Sequence, residues 1–350
     1  MVGSFGAVAV LLAWSVHGVG GRGREPDFRI QGKLSIWPSS PRSEGTRSEG
    51  TEAPLPEADL IAMNRYVELS PKRAEAAGFA KAPEPQPGDW RLGPGKNETH
   101  QSFYEFWKGR CKQRPRGEAL VLRWLGPSPA SLEPTKEALR RFLSLYYQQP
   151  VRWGSPLQGS FRTRATSDSP SGGIQYHTEP ILEALAKRVP EDARLVMGLT
   201  LHDLYPEESW SFVFGEAAPH HRVGLYSLAR LSPAFHTTGV DDREKRAALV
   251  RAMKVLVHEV GHIMGLSHCV KFSCLMAGSN SLEEADRQPL HLCPVCLSKI
   301  AWSLDLDVRA RYESLARFLR SRSLEVEARW YELQTARLGP GKAAGLKTRP

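Results

Sequence analysis

The residues able to do chemistry crowd into positions 258–296 of a 350-residue chain. They begin with HEVGHIMGLSH, running from His258 to His268. His258 and His262 are four apart, so on a helix they leave one face about 6 Å apart along the axis and can converge on one ion. Glu259 stands beside the first of them, where its carboxylate can reach a water on that ion and act as its base. His268 poses a different problem. On an unbroken helix it would lie about 9 Å beyond His262, further than Zn–N bonds of about 2.0–2.1 Å can span. The chain must therefore turn, and Gly265 permits the left-handed conformation that such a turn needs. Three histidines leave a fourth position for water or substrate, which is the layout of a catalytic zinc. The expected assignment is His258, His262 and His268 as ligands and Glu259 as the catalytic base.

A second cluster follows at once. Cys269-x4-Cys274 and Cys293-x2-Cys296 are two close pairs, the usual way for a chain to wrap four thiolates around one ion. A closed four-cysteine site is structural, so the expected cofactors are two zinc ions, one catalytic and one structural. CPVC also occurs in dithiol redox motifs, but those need no second pair. The fifth cysteine, Cys111, is distant and reads as a buried thiol rather than an inhibitory switch. His202, His220, His221 and His291 read as loop or surface histidines that could touch substrate. Glu283, Glu284 and Asp286, between the cysteine pairs, read as a solvated turn or helix cap.

These motifs together resemble the archaemetzincins, a branch of the metzincin zinc metallopeptidases. The matching residues are HEVGHIMGLSH, the cysteine directly after the third histidine, Cys274-Leu275-Met276 and CPVC. Similarity extends upstream through LTLHDLYPEESWSFVFGEA and VGLYSLAR, and downstream through GSNSLEEADRQPLHLCPVCLSKI, covering roughly residues 118–335. The resemblance implies a compact α/β metzincin-like domain with a mixed, largely parallel sheet, a long active-site helix and a four-cysteine zinc-bound segment. It implies that Met276 is the Met-turn methionine, an apolar floor beneath the catalytic zinc. It also implies an edge strand, placed at residues 223–230, along which an extended peptide or protein substrate pairs. The expected activity is peptide-bond hydrolysis through a zinc-bound water activated by Glu259. The alternative is a zinc-dependent protein- or nucleic-acid-binding module with little turnover. No aromatic-interleaved basic motif supports nucleic acid as a partner, and a purely structural zinc needs no base. A monomer without stable membrane insertion is expected.

Several elements must position these groups. Residues 119–125, 150–153, 173–176, 194–201 and 223–230 read as strands, and alternate with amphipathic helices at 135–148 and 178–188. Asp241 and Asp242 supply capping chemistry for a long helix over 243–264 that carries the first two histidines. Residues 308–338 read as one charged helix with Tyr312, Leu315, Leu319, Val326, Trp330 and Leu333 buried. Composition suits a globular protein, with 41% hydrophobic and 24% charged residues. A net charge of +9 permits acidic partners without requiring them. The chain divides into an apolar leader at 1–21, a Pro/Gly/Ser-rich weakly structured region at 22–115, the metallopeptidase-like domain at 116–338 and a basic tail at 339–350. Short helices are expected near 59–79 and 103–111. The compartment reads as intracellular, cytoplasm or nucleus, from the reduced thiols; secretion through the apolar residues 5–21 is the alternative. Asn97-Glu98-Thr99 is a glycosylation acceptor only in the second case.

Overall fold

Three apolar runs, ALVLRW, ARLVMGLT and VGLYS, lack the polar alternation of a half-exposed sheet, which marks strands covered on both faces. The computed structural model describes residues 78–111, 117–126, 128–237 and 239–338. In it these runs form β1 (Ala119–Trp124), β5 (Ala193–Thr200) and β8 (Val223–Ser227). With β2 (Val151–Trp153) and β7 (Gly215–Ala218) they make a five-stranded sheet in the order β2-β1-β5-β8-β7. The first four strands are parallel and β7 runs antiparallel to β8. A second sheet has the order β3-β4-β6, from Thr163–Ala165, Ile174–His177 and Asp203–Tyr205. The mixed α/β architecture with a largely parallel sheet agrees with the sequence reading.

Side chains alternate between the two faces of each strand. Leu120, Leu122, Leu195, Met197, Leu199 and Tyr226 join the large core beneath α2 (Glu133–Tyr147) and α4 (Asp242–Ile263). Val121, Val196, Val223 and Leu225 face the other way, onto Ile181, Leu182 and Leu185 of α3 (Thr178–Ala186). The long helix α4 begins as expected: the Asp241 carboxylate accepts the Glu244 N–H at 2.7 Å.

Three expectations change. Residues 223–230 do not form an edge, because β8 lies between β5 and β7. The edge on that side of the sheet is β7, which the sequence reading passed over: Gly-Glu-Ala-Ala holds no β-branched or aromatic residue and is a strand through its pairing alone. Residues 308–338 form two helices, α7 (Val308–Arg320) and α8 (Glu325–Arg337). Ser323 turns the chain at φ +55°, and buried Leu324 donates its N–H to Leu319 O. Tyr312, Leu315 and Leu319 are buried as expected, but α8 buries Ala328 and Tyr331 instead, leaving Val326 81% and Leu333 50% exposed. Residues 78–111, read as weakly organised, pack against the domain: Phe79, Trp90, Phe103 and Phe106 are buried, and α1 spans Phe103–Cys111. The short helix expected near 103–111 is present.

The remaining helices are α5 (Leu282–Arg287) and α6 (Pro294–Leu304). No helix among the described residues is long and apolar enough to cross a membrane. The apolar leader, almost all of the helix expected at 59–79, the Cys111 side chain and the basic tail lie outside the described residues.

Candidate metal centre

The last turns of α4 carry His258, Glu259 and His262, all buried. The helix stops after Ile263, and Gly265 at φ +92° turns the chain, its N–H donating to His262 O at 2.9 Å. That turn returns His268 to the other two. Each of the three rings offers a nitrogen, and these atoms all lie within 4.8 Å of one another.

Each imidazole is held from behind by its Nδ1. His258 Nδ1 meets Leu275 O at 2.9 Å, His262 Nδ1 meets Leu266 O at 2.7 Å, and His268 Nδ1 meets Glu98 Oε1 at 2.7 Å. Carbonyl and carboxylate oxygens only accept, so these contacts assign the proton to Nδ1 and leave every Nε2 lone pair facing inward. His258 Nε2 and His262 Nε2 are 2.8 Å apart, two lone pairs in mutual repulsion unless a cation lies between them. His268 Nε2 is buried without a hydrogen-bond partner. Burial and the neighbouring rings push the His258 pKa down to about 3 and that of His262 well below its ordinary value. The His258 and His262 rings are therefore neutral at pH 7, the form that binds metal. This donor set fits zinc.

Glu259 is fully buried, and neither carboxyl oxygen has a hydrogen-bond partner. Burial, and secondarily the Glu216 carboxyl, raises its pKa well above the usual carboxylate value. β7 approaches it with glycine. A Cβ at Gly215 would lie 2.9 Å from Glu259 Cγ and Oε1, so any larger residue there would displace the acid. Met276 is fully buried beneath α4, and a Cβ at Gly261 would come within 2.6 Å of its Sδ. Its neighbour Leu275 supplies the carbonyl that orients His258.

The sulfurs of Cys269, Cys274, Cys293 and Cys296 also lie within 4.8 Å of one another, all buried and free of disulfides. Backbone N–H groups of Met276 and Cys293 donate to Cys274 Sγ, and that of Cys296 donates to Cys293 Sγ. Burial pushes the Cys274 and Cys293 thiols well up, while hydrogen bonds from its three partners pull Cys269 well down. A cluster that can ionise fully only around a cation is the chemistry of a thiolate metal site.

The other residues singled out in the sequence have separate roles. His291 stacks on Trp330 at 3.6 Å and 6° between planes, and His202 packs on Tyr176. His220 and His221 lie in a 3₁₀ turn after β7. Asp286 pairs with Arg251 at 2.6 Å. Glu284 is no solvated cap: it is buried and accepts N–H groups from Trp90 and Asn280. Sequence reasoning missed Glu98, which reaches His268 from 170 residues upstream. The available signal was the aromatic content of residues 79–107, since unstructured segments are poor in such residues.

The chain is similar to known proteins. The description Peptidase family M54 matches residues 176–302. Human archaemetzincin-2 is 40% identical over 271 residues, covering 68% of this chain and 73% of that protein. The rat archaemetzincin-2 is 32% identical over 259 residues, covering 65% and 71%. The crystal structure of an archaemetzincin from Methanopyrus kandleri is 28% identical, with a TM-score of 0.42, covering 55% of this chain and 98% of that one. The chain therefore belongs to peptidase family M54, the archaemetzincins, and is a zinc metallopeptidase.

Proposed function

We propose that the chain hydrolyses peptide bonds at a zinc held by His258, His262 and His268, with Glu259 as general base, and that Cys269, Cys274, Cys293 and Cys296 hold a second, structural zinc. One observation carries the reading: three buried imidazoles converge their Nε2 atoms beside a buried carboxyl whose oxygens have no partner. When bound, the catalytic zinc polarises the scissile carbonyl and acidifies the attacking water. Glu259 removes the water's proton and delivers it to the leaving amine. A cation opposite Glu259 offsets the burial that raises its pKa, so the acid is ionised when it is needed. Gly215 above it and the rigid helix below hold its oxygens in place. Met276 supports the helix floor at Gly261, the Met-turn role that the resemblance implied. The partner is a peptide or protein substrate. Residues 223–230 offer it no free strand edge, because β8 has neighbours on both sides.

The test is cleavage of a diverse peptide library by zinc-loaded wild type and Glu259→Gln, with zinc content measured on both. The expected result is cleavage by wild type and a loss of about 10²–10⁴-fold in the variant at unchanged zinc content. A variant that cleaves as fast as wild type would remove Glu259 from the mechanism.

A further inference from the structure

The segment before β1 follows the loop that carries the candidate ligands. Ala82 N–H donates to Lys271 O at 3.1 Å and Ser273 N–H to Ala80 O at 3.0 Å, in the stretch between Cys269 and Cys274. Gln101 clamps the turn ahead of His268: its Nε2 donates to Gly265 O at 3.1 Å and its Oε1 accepts Ser267 N–H at 3.3 Å. Lys299, on the helix that follows the second cysteine pair, donates to Gln101 Oε1 at 3.1 Å. Trp90 meets the His268 ring edge-on, with centroids 5.1 Å apart. Its indole fits so closely that a Cβ at Gly278 would fall 2.4 Å from it.

Glu98 lies at the centre of this strap, its side chain 7% exposed and both oxygens engaged. Oε1 accepts from His268 Nδ1 at 2.7 Å and Oε2 accepts from Trp90 Nε1 at 2.9 Å. His258 and His262 are oriented by carbonyls of their own neighbourhood, Leu275 and Leu266. His268 differs: its orienting group is a carboxylate from a distant part of the chain. It also sits on a turn rather than a helix, so its ring has less local support. A carboxylate behind a ligating imidazole fixes the tautomer and ring angle and makes the ligand more basic.

We infer that Glu98 is a positioning residue for His268, oriented by Trp90, and that the strap at residues 80–101 completes the catalytic metal centre from outside the segment matching the family description. This rests on the reading that the three histidines hold the catalytic zinc.

The test uses the full chain loaded with Co(II) and titrated with a competing chelator. Thiolate-to-cobalt charge transfer reports the cysteine site, and the visible ligand-field bands left after subtraction of the four-thiolate spectrum report the histidine site. Glu98→Ala is expected to weaken the histidine site by about 10–100-fold and shift its ligand-field bands, with the cysteine site unchanged. Glu98→Gln recovers part of the affinity, because an amide satisfies one of the two N–H donors and opposes the other. Trp90→Phe keeps the ring, loses the indole N–H and falls between wild type and Glu98→Ala. The inference is overturned if Glu98→Ala binds cobalt at the histidine site within about twofold of wild type. It is equally overturned if both sites weaken together in Glu98→Ala, which would make Glu98 a general brace of the fold. A wild type whose histidine site takes up no cobalt would remove the zinc reading itself, a result visible before any variant is made.

Discussion

Glu216 follows Gly215 on β7, and strand alternation turns its side chain away from the α4 face. It is 3% exposed, and burial raises its pKa to about 7. A folded-state pKa above the unfolded value gives stability that is fully present below about pH 4.5 and is lost as pH rises through about 7. Glu216→Gln removes that dependence. Urea unfolding of both proteins from pH 5 to pH 8 should show the variant gaining on wild type by on the order of 2–3 kcal/mol across the range. Parallel curves would show that the carboxyl ionises freely in the folded protein. Glu216 illustrates what a sequence conceals at this scale. His258, Glu259, His262 and the cysteine pairs were legible because each set is spaced by local geometry, helical or loop. Glu216 and Glu98 act through neighbours that only the folded chain supplies.

At the scale of elements, long apolar runs, capped helices and even the short strands β2 and β4 declared themselves, whereas β7 and the break within residues 308–338 did not. β1, β5, β8 and α4 each carry a strong pattern of their own. β7 has four residues, three of them Gly or Ala, so the edge was assigned to its inner neighbour β8. The α7–α8 hairpin was hidden for another reason. Its helices share similar charged surfaces, and the break at residues 321–324 lacks both Gly and Pro, the usual punctuation. What fixes the hairpin is Tyr331: it is 1% exposed, packs on Tyr312 with centroids 5.6 Å apart, and donates its hydroxyl to Leu290 O at 3.0 Å. Leu290 lies three residues before Cys293, so the hairpin also supports the cysteine cluster. Tyr331→Ala should cost about 3–5 kcal/mol in chemical denaturation. A cost below about 1 kcal/mol would mean that α8 contributes little to the fold.

Across the whole molecule, the two candidate metal sites share one piece of chain. His268 and Cys269 are adjacent, and Cys269 N–H donates to Met276 O at 2.7 Å, closing the loop beneath the histidines. The strap at residues 80–101 lies outside that loop and fastens it to α6 through Gln101 and Lys299. The low-complexity composition of the N-terminal third concealed the strap, although Phe79, Trp90, Phe103 and Phe106 marked residues that needed burial. The central claim is that the cysteine site holds the third histidine in place, so the histidine site depends on the cysteine site. The most direct measurement is the zinc content and catalytic-site zinc affinity of Cys293→Ala beside wild type and His262→Ala. The account predicts two zinc ions in wild type, a retained cysteine-site zinc in His262→Ala, and loss of both in Cys293→Ala, because metal binding at the thiolates is coupled to folding of the loop. A Cys293→Ala protein that keeps its histidine-site zinc at wild-type affinity would contradict it.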